Sequence, residues 1–165
     1  MRSKTFRPCC RKIFSNEFVS EPGEKFPHPA LGIDHGDARI GIAATDPVGI
    51  MAHPVETIHR QKTDALQRIG EIITSRRIVT LVIGLPLHLD GREGESAVKA
   101  RQFGAMLHAA HPLIPLHYID ESFTTVSAAE KLHEAGRNAR QQKQWIDQAA
   151  AVEILNVWMA SHGVG

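Results

Sequence analysis

An apolar run near the middle of the chain constrains the fold more than any other feature. Residues Val79–Leu85 carry no charge, and Thr80 is the one polar side chain among them. A strand of this composition is buried on both faces, as in parallel sheets that have helices on each side. The run therefore predicts an α/β domain in which this strand lies inside the sheet.

Three strands with short links are predicted before this run. Gly36-Asp37 supplies a hairpin turn and Asp46-Pro47 a second turn. The strands around them are predicted at Leu31–Gly36, Arg39–Thr45 and Val55–Ile58. Consecutive strands joined this closely favour an antiparallel meander.

Helices and strands alternate in the rest of the chain. Helical periodicity predicts a helix that is capped by Thr63 and runs to about Arg76. Further helices are predicted at Glu95–Ala110, Thr125–Ala135 and Arg140–Ser161, the second of these three ending at Gly136. A strand is predicted at Ile114–Glu121. The order β-β-β-α-β-α-β-α-α predicts a mixed five-stranded sheet with helices on both faces.

Charge is distributed unevenly along a chain long enough for one domain. The 165 residues include 19 basic and 18 acidic side chains, so the formal net charge is only +1 and any attraction of nucleic acid must be local. Residues 1–29 hold six of the basic residues and three of the acidic ones. We expect a flexible basic extension at 1–29 and a folded domain at 30–165. A nucleic-acid-binding arm and an organelle address are the alternatives for the extension.

Several classes of protein are excluded by composition. Residues 1–29 contain no apolar run of secretory length, and no stretch of the chain is apolar enough to span a membrane. Both cysteines, Cys9 and Cys10, lie in the extension, so neither a disulfide framework nor a cysteine-zinc site supports the domain. The ten histidines show no zinc-site spacing. The sequence predicts a soluble, cytoplasmic protein without a membrane partner.

Asp34 is the first candidate functional carboxylate. Strand alternation puts Gly32 and Asp34 on one face of the first strand, opposite Leu31 and Ile33. Gly32 and Gly36 would leave room for an ion or a phosphate to approach the carboxylate. The alternative is an Asp that only forms the hairpin turn.

Asp120 and Glu121 end a predicted strand, at the edge where α/β sheets bind ligands. Alternation puts His117, Ile119 and Glu121 on one face and Asp120 on the other. A cap for the following helix is the alternative role.

Asp147 heads an apolar helical stripe formed by Ala151, Ile154 and Trp158. An Asp on the buried side of a helix needs partners, although an acid that stabilises the helix start is the alternative.

Three acids from two strands and a helix are the ligands that a two-metal phosphodiesterase site requires. Mg²⁺ and Mn²⁺ prefer oxygen ligands, and a carboxylate cluster holds two such ions about 3.5–4 Å apart. Arg39, Lys99 and Arg101 would form a small basic rim for phosphates. The loop at 84–96 would position a phosphate, cover the site, or be only a polar loop. The aromatic side chains of the domain are predicted to pack, which disfavours a base-stacking surface.

An ordered set of motifs resembles a known family. The motifs are Leu31-Gly32-Ile33-Asp34-His35-Gly36, Arg39-Ile40-Gly41, Asp46-Pro47, Val82-Ile83-Gly84-Leu85-Pro86-Leu87, Asp90-Gly91, Gly94-Glu95-Ser96-Ala97, Asp120-Glu121 with Thr124-Thr125, and Asp147-Gln148-Ala149-Ala150-Ala151. Over about residues 30–161 the chain resembles the YqgF family of pre-16S ribosomal RNA nucleases, also described as Holliday-junction-resolvase-like.

The resemblance implies an RNase H-like nuclease domain at 30–165 that uses divalent metal ions in maturing the 5′ end of small-subunit ribosomal RNA. Asp34, Glu121 and Asp147 correspond to the catalytic acids and metal ligands. Ser122 replaces an Arg that is common in the family, and His88-Leu89 replaces an Asn-Met-like pair. Both departures affect the expected contacts with substrate and leave the three catalytic acids unchanged.

Three functions remain open at this point. The first is an endonuclease acting on precursor ribosomal RNA in the small-subunit precursor. The second is a resolvase acting on branched DNA, which needs two active sites and therefore a homodimer rather than a monomer. The third is a non-catalytic module that binds RNA or a nucleotide.

Overall fold

Five strands and three helices occupy the part of the chain that the structure, a computed structural model, describes: residues 28–88, 90–121 and 139–161. In chain order they are β1 (Ala30–His35), β2 (Arg39–Thr45), β3 (Ala52–His59), α1 (Ala65–Arg76), β4 (Thr80–Leu85), α2 (Glu95–Ala110), β5 (Leu116–Asp120) and α3 (Ala139–Ser161). The helix predicted at Thr125–Ala135 falls outside the described residues.

The strands form one sheet in the order β3-β2-β1-β4-β5. β2 is antiparallel to both of its neighbours, whereas β1, β4 and β5 are parallel to one another. The predicted mixed five-stranded sheet is confirmed. β4 is buried at every position because it lies between two strands with a layer of helix on each face.

Apolar side chains on the two faces of the sheet pack against different helices. On one face, Ile33 and Ile42 join a cluster with Ile69 of α1 and Phe103 of α2. On the other face, residues such as Val82 join a cluster with Ala151, Ile154, Leu155 and Trp158 of α3. Helices therefore cover both faces, as the apolar run at β4 predicted.

Glycines allow α3 to lie against the sheet. A Cβ on Gly32 would come within 2.7 Å of the Ala151 backbone oxygen, and a Cβ on Gly41 would overlap the Asp147 carbonyl. The expectation that Gly32 opens space for an ion or phosphate is therefore wrong, because α3 fills that space. Gly36 serves the hairpin turn, where its N–H donates to the Arg39 carbonyl at 2.9 Å.

Several predicted element ends differ from the structure. Asp64, not Thr63, caps α1: its carboxylate accepts hydrogen bonds from the N–H groups of Leu66 and Gln67. β3 is longer than predicted, and β5 is shorter at both ends. Val79 precedes β4, and its N–H donates to the Pro29 carbonyl at 3.0 Å.

The described fold begins at His28. Its Nδ1 lies 3.0 Å from the Thr45 hydroxyl, and its ring makes an edge contact with Trp158 at a centroid distance of 5.5 Å. Contacts with the domain thus start two residues before the predicted boundary at residue 30, while residues 1–27 lie outside the described part. None of the described helices is long and apolar enough to cross a membrane.

Adding one methyl group at Gly41 tests the close approach of α3. Gly41→Ala is expected to lower the free energy of unfolding by about 1–3 kcal/mol, because its Cβ meets helix backbone that cannot rotate away. Gly70→Ala is the matched control. Its Cβ would lie 3.5 Å from His111, so it is expected to stabilise α1 by roughly 0.5–1 kcal/mol. Urea unfolding measures the free energy of unfolding of both variants. An unchanged value for Gly41→Ala would contradict the close packing of α3 on β2.

Removing the Asp64 carboxylate tests the start of α1. Asp64→Ala is expected to cost about 1 kcal/mol of stability because two helix N–H groups lose their acceptor. Thr63→Ala is expected to have little effect, since Thr63 lies outside the cap. Thermal unfolding compares the stability of the two variants. A larger loss of stability in Thr63→Ala would indicate that Thr63 caps α1.

Candidate active site

The three predicted carboxylates lie on the α3 face of the sheet. Asp34 is near the end of β1, and Glu121 follows β5 directly. Because β1, β4 and β5 are parallel, their carboxyl ends meet at one edge, where sheets of this class bind ligands. Asp147 comes to this place from α3, whose backbone is held against β2 at Gly41.

Gly84 on β4 makes room for Glu121. β4 separates β5 from β1, so a side chain on β4 would stand between Glu121 and Asp34. A Cβ on Gly84 would overlap the Glu121 carboxylate oxygen Oε1. Sequence reasoning missed this role, although Gly84 is the one position in the run 79–85 that lacks a side chain. The carboxylate of Glu121 thus lies over β4, on the side of Asp34.

Burial and mutual charge raise the pKa values of two of the acids. Burial, and secondarily the charge of Asp147, raises the pKa of Asp34 to about 6. Burial, followed by the charges of Asp34 and Asp120, raises the pKa of Glu121 to about 8. Near neutral pH Glu121 therefore holds its proton for most of the time, whereas Asp34 is mostly ionised. The charge of Asp34 acts on Glu121, and that of Asp147 on Asp34, so the three carboxyl groups form one electrostatic cluster.

Asp147 is paired with Arg39. The Arg39 Nε donates to the Asp147 Oδ2 at 2.6 Å, and the Asp147 side chain is only 18% exposed. Arg39 begins β2 and alternates in step with Gly41, which puts its side chain on the α3 face. Below Asp147, the stripe of Ala151, Ile154 and Trp158 is buried, as the helical periodicity predicted.

The structure separates Arg39 from the other two predicted phosphate-binding residues. Lys99 and Arg101 lie on α2, which packs on the opposite face of the sheet. Lys99 pairs with Asp37 at 3.1 Å and with Glu95 at 2.9 Å. Arg101 pairs with Glu93 at 2.6 Å and lies over the Tyr118 ring. The three cations do not form one rim in the described structure, and each is engaged by an acid.

The loop after β4 forms a depression at the same edge of the sheet. A cavity of about 510 Å³ is lined by His88, Asp90, Arg92 and Glu93. Asp90 forms an ion pair with Arg92, just as Glu95 does with Lys99, so these two acids are engaged away from the carboxylate cluster. Asp120 influences the cluster through its charge on Glu121.

His35 and Trp145 lie close in sequence to the cluster acids Asp34 and Asp147, and the sequence predicts how each ring packs. The ring of His35 packs on Phe103 at 4.9 Å, on the face opposite the carboxylates, as alternation predicted. Trp145, which was predicted to pack, is 43% exposed, and Ile146 beside it is 38% exposed. The expectation that the aromatics pack is confirmed for Phe103 and Trp158, which are buried, whereas Trp145 is only partly covered.

The donor atoms of the cluster fit a hard divalent cation. Carboxylate oxygens are the preferred ligands of Mg²⁺ and Mn²⁺. A cation would stabilise the ionised forms of Asp34 and Glu121, whose pKa values are raised by burial and, secondarily, by neighbouring negative charge. Within the described ranges, no three Asp, Glu, His or Cys side chains are close enough to form a complete ion-binding group. The chemistry of the cluster thus suits a cation, while its present spacing does not enclose one.

Comparison with known proteins finds a matching family model and curated relatives. Residues 28–161 match the family model described as RuvX: Holliday junction resolvase. Two curated relatives carry the name "Putative pre-16S rRNA nuclease". The protein from Nocardioides sp. (strain ATCC BAA-499 / JS614) is 46% identical over 130 residues, covering 76% of this chain and 83% of that protein. The protein from Cutibacterium acnes is 49% identical over 125 residues, covering 76% of this chain and 78% of that protein.

A solved structure agrees on the fold. The yeast mitochondrial Holliday junction resolvase Ydc2 matches with a TM-score of 0.51 at 13% sequence identity, covering 82% of this chain and 79% of that chain. At this identity the likeness concerns the fold alone, which is RNase H-like, as the resemblance in sequence implied. Because the family model spans 28–161 and the relatives exceed 40% identity, the chain belongs to the RuvX family, a family of nucleases.

Proposed function

We propose that this protein is a divalent-cation-dependent endonuclease that matures the 5′ end of precursor 16S ribosomal RNA. The observation that carries the proposal is the cluster of Asp34, Glu121 and Asp147 at the carboxyl edge of the sheet, in a chain that belongs to a nuclease family. The relatives' shared name supports ribosomal RNA as the substrate. The small-subunit precursor is then the partner and the cytoplasm the location.

Asp34, Glu121 and Asp147 would hold the metal ions, two of them in this proposal. Bound Mg²⁺ or Mn²⁺ supplies the Lewis acidity that activates water and stabilises the leaving oxygen in phosphodiester hydrolysis. The protein contributes the carboxyl groups of Asp34, Glu121 and Asp147, which lie on the α3 face of the sheet. Ile154 lies against the same glycine as Glu121, so the acids have an apolar wall on the α3 side.

Proton release accompanies cation binding in this proposal. Glu121, with a pKa of about 8, must lose its proton before both of its oxygens accept a cation. Cation affinity therefore rises with pH up to about 8, the pKa of Glu121. Asp147 lies in an ion pair with Arg39, whose Nε donates to its Oδ2 at 2.6 Å.

Cleavage of branched DNA is the second candidate function. The description of the matching family as Holliday junction resolvase favours it. A resolvase cuts two strands and needs two active sites, so this candidate predicts a homodimer, whereas cleavage of a single RNA strand needs one active site only. The third candidate, a module that binds RNA or a nucleotide without cleaving, would retain the acids without a chemical role.

Parallel cleavage assays on precursor RNA and on a four-way DNA junction, with Mn²⁺, test the proposal. Asp34→Asn is expected to reduce RNA cleavage by at least about 100-fold, because even outer partners of metal ligands cost roughly 10–100-fold when changed. Asp64→Asn is the matched control and is expected to keep wild-type activity, since Asn also caps helices.

The assay separates the three candidates. RNA cleavage that Asp34→Asn abolishes, with the junction left intact, supports the proposal. Cleavage of the junction by a dimer supports the resolvase. No cleavage of either substrate, together with a rise in melting temperature on adding RNA or ATP, supports the binding module.

The raised pKa values predict how the metal-free protein responds to pH. The folded state binds protons at Asp34 and Glu121 more tightly than the unfolded chain does, so each acid lowers stability as pH rises toward its folded pKa, about 6 and about 8. Above pH 6 the main contribution comes from Glu121. Thermal melts in EDTA at pH of about 6 and about 8 are therefore expected to show that Glu121→Gln stabilises the protein more at the higher pH. The exposed Glu71→Gln is the control, and an equal effect of Glu121→Gln at both pH values would contradict a raised pKa.

A further inference from the structure

We infer that Arg39 joins the carboxylate cluster to the nucleic-acid backbone: its Nε positions Asp147, and its terminal guanidinium nitrogens bind a phosphate of the substrate. The inference rests on the proposed function. It assigns two roles to the Arg39 side chain, positioning Asp147 and binding phosphate, and two different substitutions distinguish these roles.

The ion pair of Arg39 and Asp147 is fixed by the backbones on both sides. Arg39 is the first residue of β2, and its carbonyl accepts the hydrogen bond that closes the hairpin at Gly36. Two residues later, Gly41 brings the backbone of Asp147 against the strand. The 2.6 Å contact between Nε and Oδ2 thus joins two rigid elements that are 108 residues apart in sequence.

This pair differs from the ion pairs on α2. Lys99 and Arg101 are 39% and 44% exposed, and Lys99 pairs with acids that are themselves largely exposed. Asp147 is 18% exposed and its charge acts on Asp34, so its partner influences the whole cluster. Within residues 28–88, 90–121 and 139–161, Arg39 pairs with a cluster acid, whereas Lys99 pairs with Asp37 and Glu95 and Arg101 pairs with Glu93.

The guanidinium of Arg39 has donors left for a second partner. Within residues 28–88, 90–121 and 139–161, its hydrogen bond to Asp147 uses Nε, and neither terminal nitrogen has a hydrogen-bond partner. The Arg39 side chain is 31% exposed, so part of it is accessible to a ligand from solvent beside Asp147. A planar guanidinium presents one edge to a carboxylate and another to a phosphate, whereas an ammonium must share its single nitrogen between the two.

Arg39 also reduces the electrostatic repulsion between the carboxylate cluster and a phosphodiester. A phosphodiester approaching three carboxyl groups meets like charge, and a fixed cation beside them reduces the repulsion. We therefore expect Arg39 to contribute to substrate binding even before a divalent ion arrives. Its contribution to cation binding comes instead from the position in which it holds Asp147.

Two substitutions separate the tasks. Arg39→Gln removes the charge and both terminal donors. Arg39→Lys keeps a positive charge, but it carries a methylene where Arg39 has Nε–H, so it cannot donate to Asp147 from the position that holds that carboxylate in the wild type. Arg68→Gln is the matched control, because it breaks an Arg–Glu pair of 2.8 Å between α1 and β3, away from the cluster.

Binding of Mn²⁺ is measured by calorimetry without RNA, and binding of a precursor-RNA fragment by fluorescence anisotropy in EDTA. Loss of Asp147 positioning is expected to weaken Mn²⁺ binding about 10-fold in both Arg39 variants. RNA binding is expected to weaken several-fold in Arg39→Gln and to stay near wild type in Arg39→Lys. Arg68→Gln is expected to change neither measurement.

Other outcomes overturn the inference. Tighter or unchanged Mn²⁺ binding by Arg39→Lys would show that Arg39 competes with the cation or does not position Asp147. Unchanged RNA binding by Arg39→Gln would remove the phosphate contact. If wild type cleaves RNA with Mn²⁺ and either result is found, this inference alone fails. If wild type neither binds Mn²⁺ nor cleaves, the proposed function fails with it.

Discussion

The contact of α3 with the sheet is the constraint on which the candidate site depends. Gly32 and Gly41 lack the side chains that would hold the helix away, and small residues such as Ala151 face them. A polypeptide backbone in contact with a strand has few ways to shift, so the position of Asp147 follows from this packing. The same contact buries the acids, because α3 covers the face on which they lie.

Burial makes ionisation of the carboxylate cluster costly. Removing carboxylates from water and placing them near one another raises the pKa of Asp34 to about 6 and that of Glu121 to about 8. Such a cluster is stable when protonated, or when positive charge is supplied by Arg39 or by a cation. Functional sites commonly carry this kind of local instability, which the apolar packing on both faces of the sheet offsets.

Much of the fold was predictable because its signals are local. The buried strand at 80–85 and the alternation in β1 both follow from side-chain patterns. Boundaries were less predictable: Thr63 and Asp64 are both good N-cap residues, and only the path of the chain places the carboxylate at the helix start. The role of Gly32 was predicted wrongly, because a glycine in a strand indicates that another group comes close but not whether that group is a ligand or a helix.

The sequence by itself determined the sheet, the layers of helix and which residues were candidates for the site, because periodicity decides the face on which each side chain lies. Tertiary structure decided how those candidates meet. Gly84 lets Glu121 lie across β4, and Arg39 pairs with Asp147 rather than joining Lys99 and Arg101 in a rim. These contacts join residues far apart in the chain. No local pattern records them, since they depend on how closely a helix and a sheet pack.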